Sequence, residues 1–155
     1  MNQICRKMMG HGFVVMLIAM LLGIGLLASL LGGMELIPGS IIEIPMPGDS
    51  GAWARAHVGG LLNGMLVVLV AISAHLLVMP EKLQKQMAWM LPGTAYANTV
   101  FYLAAIVAPN RALTFGDNRF GEASLMGMLG LLPALVFVVV SLVAVFLMAK
   151  AAFKA

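Results

Sequence analysis

The chain is predicted to be an all-α, polytopic membrane protein with four transmembrane helices. Three observations predict this. Hydrophobic residues make up 62% of the 155 positions, above the roughly 45–50% of a soluble domain. Charged residues make up 10%, where about 25% is usual. The apolar residues also fall in four unbroken runs, and mean hydropathy is +1.03. Such a chain needs lipid as its solvent. The composition excludes a soluble domain, a disordered chain and a free-standing nucleic-acid binder, and the length suits one transmembrane domain, 1–155.

The first run spans about 11–32, too long for a cleaved signal sequence and without a small-residue cleavage site after it. The second spans about 53–79 and stops at Pro80; the third spans about 87–108 and stops at Pro109. The fourth spans about 124–149 and ends at Lys150. Each can cross about 30 Å of hydrocarbon at 1.5 Å per residue. None alternates as a barrel strand would.

Net charge is +3, but the nine cationic residues stand singly or in pairs at run ends, where they anchor helices. Arg6, Lys7, Lys82, Lys85, Lys150 and Lys154 lie on one side; Arg55, Arg111 and Arg119 lie on the other. The positive-inside rule then puts both termini in the cytoplasm. The lone Cys5 forms no internal disulfide.

The two connections on the far side, 33–52 and 109–122, combine Pro-Gly turns with apolar residues such as Ile41, Ile42, Leu113 and Phe115. They read either as lids folded over the helix ends or as ordinary interfacial loops.

Polar residues at membrane depth are functional suspects. Span two carries His57 and Asn63; span three carries Thr94, Asn98 and Tyr102, four apart and so on one helical face. Asn63 and Asn98 both fall about 15 Å below the far surface, and His57 and Tyr102 roughly 6–9 Å below it. The four are expected to converge on one pocket in the outer half.

A neutral imidazole is the commonest side-chain metal ligand. Gly60 and Gly64 share the His57 face. Small residues there would let a flat macrocycle approach, or equally let two helices pack closely. The competing reading of His57 is a histidine bonded to a carbonyl. One histidine does not make a catalytic zinc site. It suits a haem with one open face. His75 lies on the same face but about 27 Å lower, near His11 at the other end. These two read as interfacial anchors or as ligands of a second, bis-histidine haem. The fourteen methionines read as core filler, with no copper pattern. No Gly-rich phosphate loop, nucleophile elbow or CxxC pair is present.

The stretches Leu-Gly-Gly-Met-Glu-Leu-Ile-Pro-Gly (31–39), Gly-Ala-Trp-Ala-Arg-Ala-His (51–57), Leu-Asn-Gly-Met (62–65), Ala-Asn-Thr-Val-Phe-Tyr (97–102) and Pro-Asn-Arg-Ala-Leu-Thr-Phe-Gly (109–116) resemble the styrene oxide isomerase family. These are small four-helix membrane enzymes of bacterial styrene degradation. The resemblance spans about residues 10 to 148. It implies an inner-membrane homotrimer with ferric haem b between subunits, rearranging apolar epoxides to aldehydes. His57 matches the axial haem ligand. Tyr102, Asn63 and Asn98 match residues lining the substrate side. Thr94 departs from the family pattern, which is acidic there, and the segment 92–97 differs too; both bear on substrate range.

Two other classes fit the composition: a haem electron carrier using His57 with His75 or His11, and a cofactor-free membrane scaffold. The expected partners are the apolar epoxide, membrane lipid and further copies of the chain, with no nucleic acid. Helix spacings of about 8–10 Å are too tight for four spans to enclose a haem and also pack a core. The expected assembly is therefore an oligomeric bundle.

Overall fold

A computed structural model describes residues 1–154. Four long helices dominate: α1 (Gln3–Leu31), α2 (Ser50–Leu76), α3 (Glu81–Val107) and α4 (Leu125–Ala152). All four are long and apolar enough to cross a membrane. Each begins outside its apolar run or at its edge, because a capping residue sets the start. The side chains of Asn2, Asp49 and Ser124 accept hydrogen bonds from the first turns of α1, α2 and α4, satisfying donors that a helix leaves orphaned. Pro80 opens α3, where a missing N–H costs nothing.

The first far-side connection is not the folded-back lid that its composition allowed. It forms an antiparallel hairpin, β1 (Gly33–Ile37) with β2 (Ser40–Glu43). Gly39 turns it at φ 82°. Gly33 is required by proximity, since a Cβ there would sit 2.1 Å from the Ile42 carbonyl oxygen. Leu36, Ile37, Ile41 and Ile42 are all exposed. The second connection, 109–122, is packed instead. Asn110 is fully buried; its amide nitrogen donates to the carbonyls of Thr114 and Gly116, and its side-chain oxygen accepts from the Ala112 N–H. Asn118 donates back to the Asn110 carbonyl. These bonds hold Arg111 and Ala112 in left-handed backbone at φ 57° and 54°.

α1 packs chiefly on α2 and α4 chiefly on α3, while α3 touches all three of the others. The α1–α2 seam is built from small residues. A Cβ on Gly60 would meet Ala19 Cβ at 2.7 Å, and one on Gly64 would meet Met16 Cγ at 2.4 Å. Close backbone approach through small residues is the usual driving contact between helices in lipid. The large side chains of the core gather toward the end that holds the termini: Met8, Val15, Val67, Met87 and Leu91. The far half is packed by smaller residues, Ala52 and Ala56 with Ile106. Half-buried Leu22, Trp53 and Tyr102 close over these small residues.

Candidate functional site

Three of the predicted site residues meet between α2 and α3. Asn98 Nδ2 donates to Asn63 Oδ1 at 3.0 Å, and Asn63 Nδ2 donates to the Gly59 carbonyl at 2.8 Å. Tyr102 lies across Gly59: a Cβ there would be 2.4 Å from the phenol oxygen. The sequence brings them together because positions 59 and 63 are one turn apart on α2, as 98 and 102 are on α3. All three side chains are half-buried.

His57 does not join them in this chain. It stands about 160° around α2 from Gly59, at 100° per residue, and faces α1. Its Nδ1 lies 2.8 Å from the Ala19 carbonyl oxygen, and a Cβ on Gly23 would fall 2.7 Å from the same nitrogen. The expected four-residue convergence is corrected to three, with the imidazole on another face. Equal depth does not fix azimuth. Gly60 and Gly64 are corrected as well: they are filled by Ala19 and Met16 of α1, so they serve packing on α1 and are not where a flat ring could approach His57.

A carbonyl oxygen only accepts. Nδ1 of His57 therefore carries a proton, and in the neutral ring Nε2 keeps its lone pair. This one hydrogen bond sets both tautomer and ring orientation, as the outer partner of a metal-binding histidine does.

Thr94, expected on the same face of α3 as Asn98 and Tyr102, is turned away from them. It is buried, donates to the Met90 carbonyl at 2.8 Å and lies 3.4 Å from the Phe137 carbonyl of α4. Residues four apart drift about 40° around a helix. Over eight residues from Tyr102 that drift turns Thr94 toward α4. His11 is exposed and pairs its Nδ1 with the Tyr96 hydroxyl at 3.0 Å; His75 is exposed. Among the described residues, no three His, Cys, Asp or Glu side chains gather as a metal site.

An apolar cavity of about 190 Å³ adjoins Tyr102, lined by Ala52, Arg55, Phe101, Ala105, Arg111 and Leu113. Sequence reasoning missed it, because its walls come from two helices and the 109–122 loop. Asp49 ties these parts together. Besides capping α2, it lies 3.9 Å from Arg55 and 3.4 Å from Arg111. The pairs are about half exposed, so their strength is modest and their value is positional. The guanidinium of Arg111 also stacks 4.3 Å from the Phe120 ring centroid. The available signal was Asp49 placed three residues before Ala52 at a helix start.

Chemically, the outer half offers a histidine with a free Nε2 on one face of α2. On the other face it offers an amide–amide–phenol group beside an apolar cavity. The profile of the family described as styrene oxide isomerase matches residues 4–153. A styrene-oxide isomerase from Pseudomonas fluorescens is 41% identical over 137 residues, covering 88% of this chain and 81% of that relative. The match takes in α1 to α4 and both faces of α2, and on it the chain belongs to the styrene oxide isomerase family.

Proposed function

We propose that this isomerase rearranges apolar aryl epoxides, with styrene oxide as the type substrate, to the aldehyde, here phenylacetaldehyde. The benzylic C–O bond breaks, a hydride moves from the oxygen-bearing carbon to the benzylic carbon, and the remaining C–O bond becomes the carbonyl. No atom enters or leaves, so no oxygen, water or hydride carrier is required. The observation that carries this reading is Tyr102, which meets the Asn63–Asn98 amide pair at Gly59 and itself lines an apolar cavity, in a chain of this family.

The residues present fit a haem b. His57 would hold it through Nε2, with Nδ1–H fixed on the Ala19 carbonyl. Ferric haem, when bound, supplies a Lewis acid that draws charge from the epoxide oxygen. Asn63, Asn98 and Tyr102 hold the substrate so that one hydrogen is aligned for migration. Asn63 donates to the Gly59 carbonyl and accepts from Asn98, a chain of two bonds that fixes the orientation of both amides. Ala52, Phe101, Ala105 and Leu113 take the aryl ring and exclude water, which would otherwise trap the benzylic cation as a diol.

His57 and the trio lie on different faces of α2, so one chain does not close the site. A cyclic homotrimer sets the imidazole of one copy toward the trio of the next, and its symmetry makes every site alike. The protein is read as a multi-pass protein of the bacterial inner membrane with both termini in the cytoplasm, on its six cationic residues against three.

The test is detergent-purified protein, its visible spectrum and its turnover of styrene oxide followed by gas chromatography. A Soret band that shifts on adding substrate, with phenylacetaldehyde as product, is expected. A low-spin spectrum indifferent to substrate would favour the electron carrier, and a colourless, inert protein the scaffold. Native mass spectrometry is expected to give a trimer that loses haem as it dissociates. A monomer that still carries one haem would overturn the shared site.

A further inference from the structure

The end of the molecule opposite the site carries an unassigned cleft. α1 and α3 begin there side by side, with Arg6 and Lys7 on the first and Lys82 and Lys85 on the second. Between them is a cavity of about 290 Å³ lined by Ile4, Lys7, Met8, His11, Lys85 and Trp89. Its composition is two-sided. Met8 is buried and forms an apolar floor, while Lys7, His11 and Lys85 bring cationic or protonatable nitrogens to the rim. Trp89 is 57% exposed, and an exposed indole with neighbouring lysines is the signature of the headgroup level.

The anionic complement nearby is small. Glu81, the first residue of α3, is the one carboxylate on α1 or α3. It pairs with Lys85 at 2.7 Å. An ammonium has three donors, so Lys85 can hold Glu81 and a second anion together. His11 is fixed by Tyr96 through Nδ1, which leaves Nε2 for the cleft. One turn further along α1, Val14 is exposed and apolar.

We propose that this cleft is a binding site for the headgroup of an anionic phospholipid. Its phosphate sits between Lys7 and Lys85, its glycerol lies against Trp89, and its acyl chains run along α1 past Val14. The charge selects a phosphate. The apolar floor and the exposed apolar face beyond it select a phosphate that carries a lipid tail over a free one. The site is independent of the isomerase reading and lies at the far end of the helices from it.

The experiment is native mass spectrometry of the full chain, released from mixed micelles containing dioleoyl phosphatidylglycerol or dioleoyl phosphatidylcholine. Two lysines near an anionic group, each contributing about fivefold, predict roughly a twenty-five-fold preference for phosphatidylglycerol. The paired variant Lys7→Gln/Lys85→Gln is expected to lose that preference, and Lys150→Gln/Lys154→Gln to keep it. Equal retention of the two lipids, or full retention by the Lys7/Lys85 variant, would overturn the site. So would displacement of the lipid by millimolar inorganic phosphate, which would make it a soluble-anion site. A second measurement does not depend on the lysine variants. With Trp53→Phe leaving Trp89 as the sole indole, brominated-chain phosphatidylglycerol is expected to quench fluorescence more than brominated phosphatidylcholine. Equal quenching refutes the proposal.

Discussion

The two faces of α2 in the outer half use the same kinds of residue for different ends. Toward α1, Gly60 and Gly64 are filled by neighbouring side chains, and the one polar group, His57, spends a ring nitrogen on the Ala19 carbonyl. Toward α3, Gly59 is covered by a phenol and flanked by two amides that bond each other. The adjacent glycines 59 and 60 thus look alike in sequence and serve different faces, about 100° apart. One face fixes an imidazole by rigid packing, and the other presents the Tyr102 phenol to a cavity. The difference teaches that a glycine pair beside a histidine is read by azimuth, not by proximity.

The largest expected effect tests the α1 face. His57→Ala should lose both the Soret band and turnover, whereas His11→Ala and His75→Ala should keep both. Haem retained by the His57 variant would end its assignment as the ligand. Next, the two glycines separate the faces directly. Gly60→Ala drives a methyl into Ala19 and should destabilise by about 1–3 kcal/mol, an overpacking cost, with weaker haem retention. Gly59→Ala displaces the Tyr102 phenol; it should keep the haem spectrum and lower turnover by at least about tenfold, a 1.4 kcal/mol loss of orientation. Identical phenotypes for the two variants would erase the distinction between the faces.

Tyr102→Phe should be milder. A hydride shift requires no net proton transfer, so the variant should keep haem and part of its turnover while losing rate or selectivity. Complete loss with haem and substrate binding intact would make the phenol a required acid. The smallest effect belongs to Thr94→Val. It removes the hydrogen bond to the Met90 carbonyl and the approach to Phe137 without touching the trio. Thermal stability should fall by about 1 kcal/mol or less, with epoxide selectivity unchanged. A changed product ratio would return Thr94 to the site.

Helix number and approximate position were legible in the sequence, because runs of apolar residues and their cationic ends report directly on burial in lipid. So was the meeting of Asn63, Asn98 and Tyr102, since depth and one-turn spacing are both linear in residue number. What was not legible was azimuth. His57 and Thr94 share depth or a helical row with the trio, yet packing turns them toward α1 and α4. The Ala19 carbonyl has no sequence signature at all, because every residue carries one. The hairpin escaped notice as well: its Pro-Gly punctuation reads as loop, and pairing depends on Gly33 admitting the Ile42 backbone.

The bonds that Asn110 makes within the 109–122 loop bear on kinetics. A loop pinned by a buried amide, with Asp49 holding Arg111 from α2, is a fixed wall and a poor door. The route we propose for an apolar epoxide is then sideways, through the hydrocarbon. The governing concentration becomes the mole fraction of substrate in the bilayer or micelle, set by its oil–water partition coefficient. Turnover should therefore obey surface dilution. At constant total epoxide, adding inert detergent lowers the rate; at constant mole fraction, it leaves the rate alone. Saturation expressed per litre of buffer would describe the assay vessel, and saturation per mole of amphiphile would describe the protein.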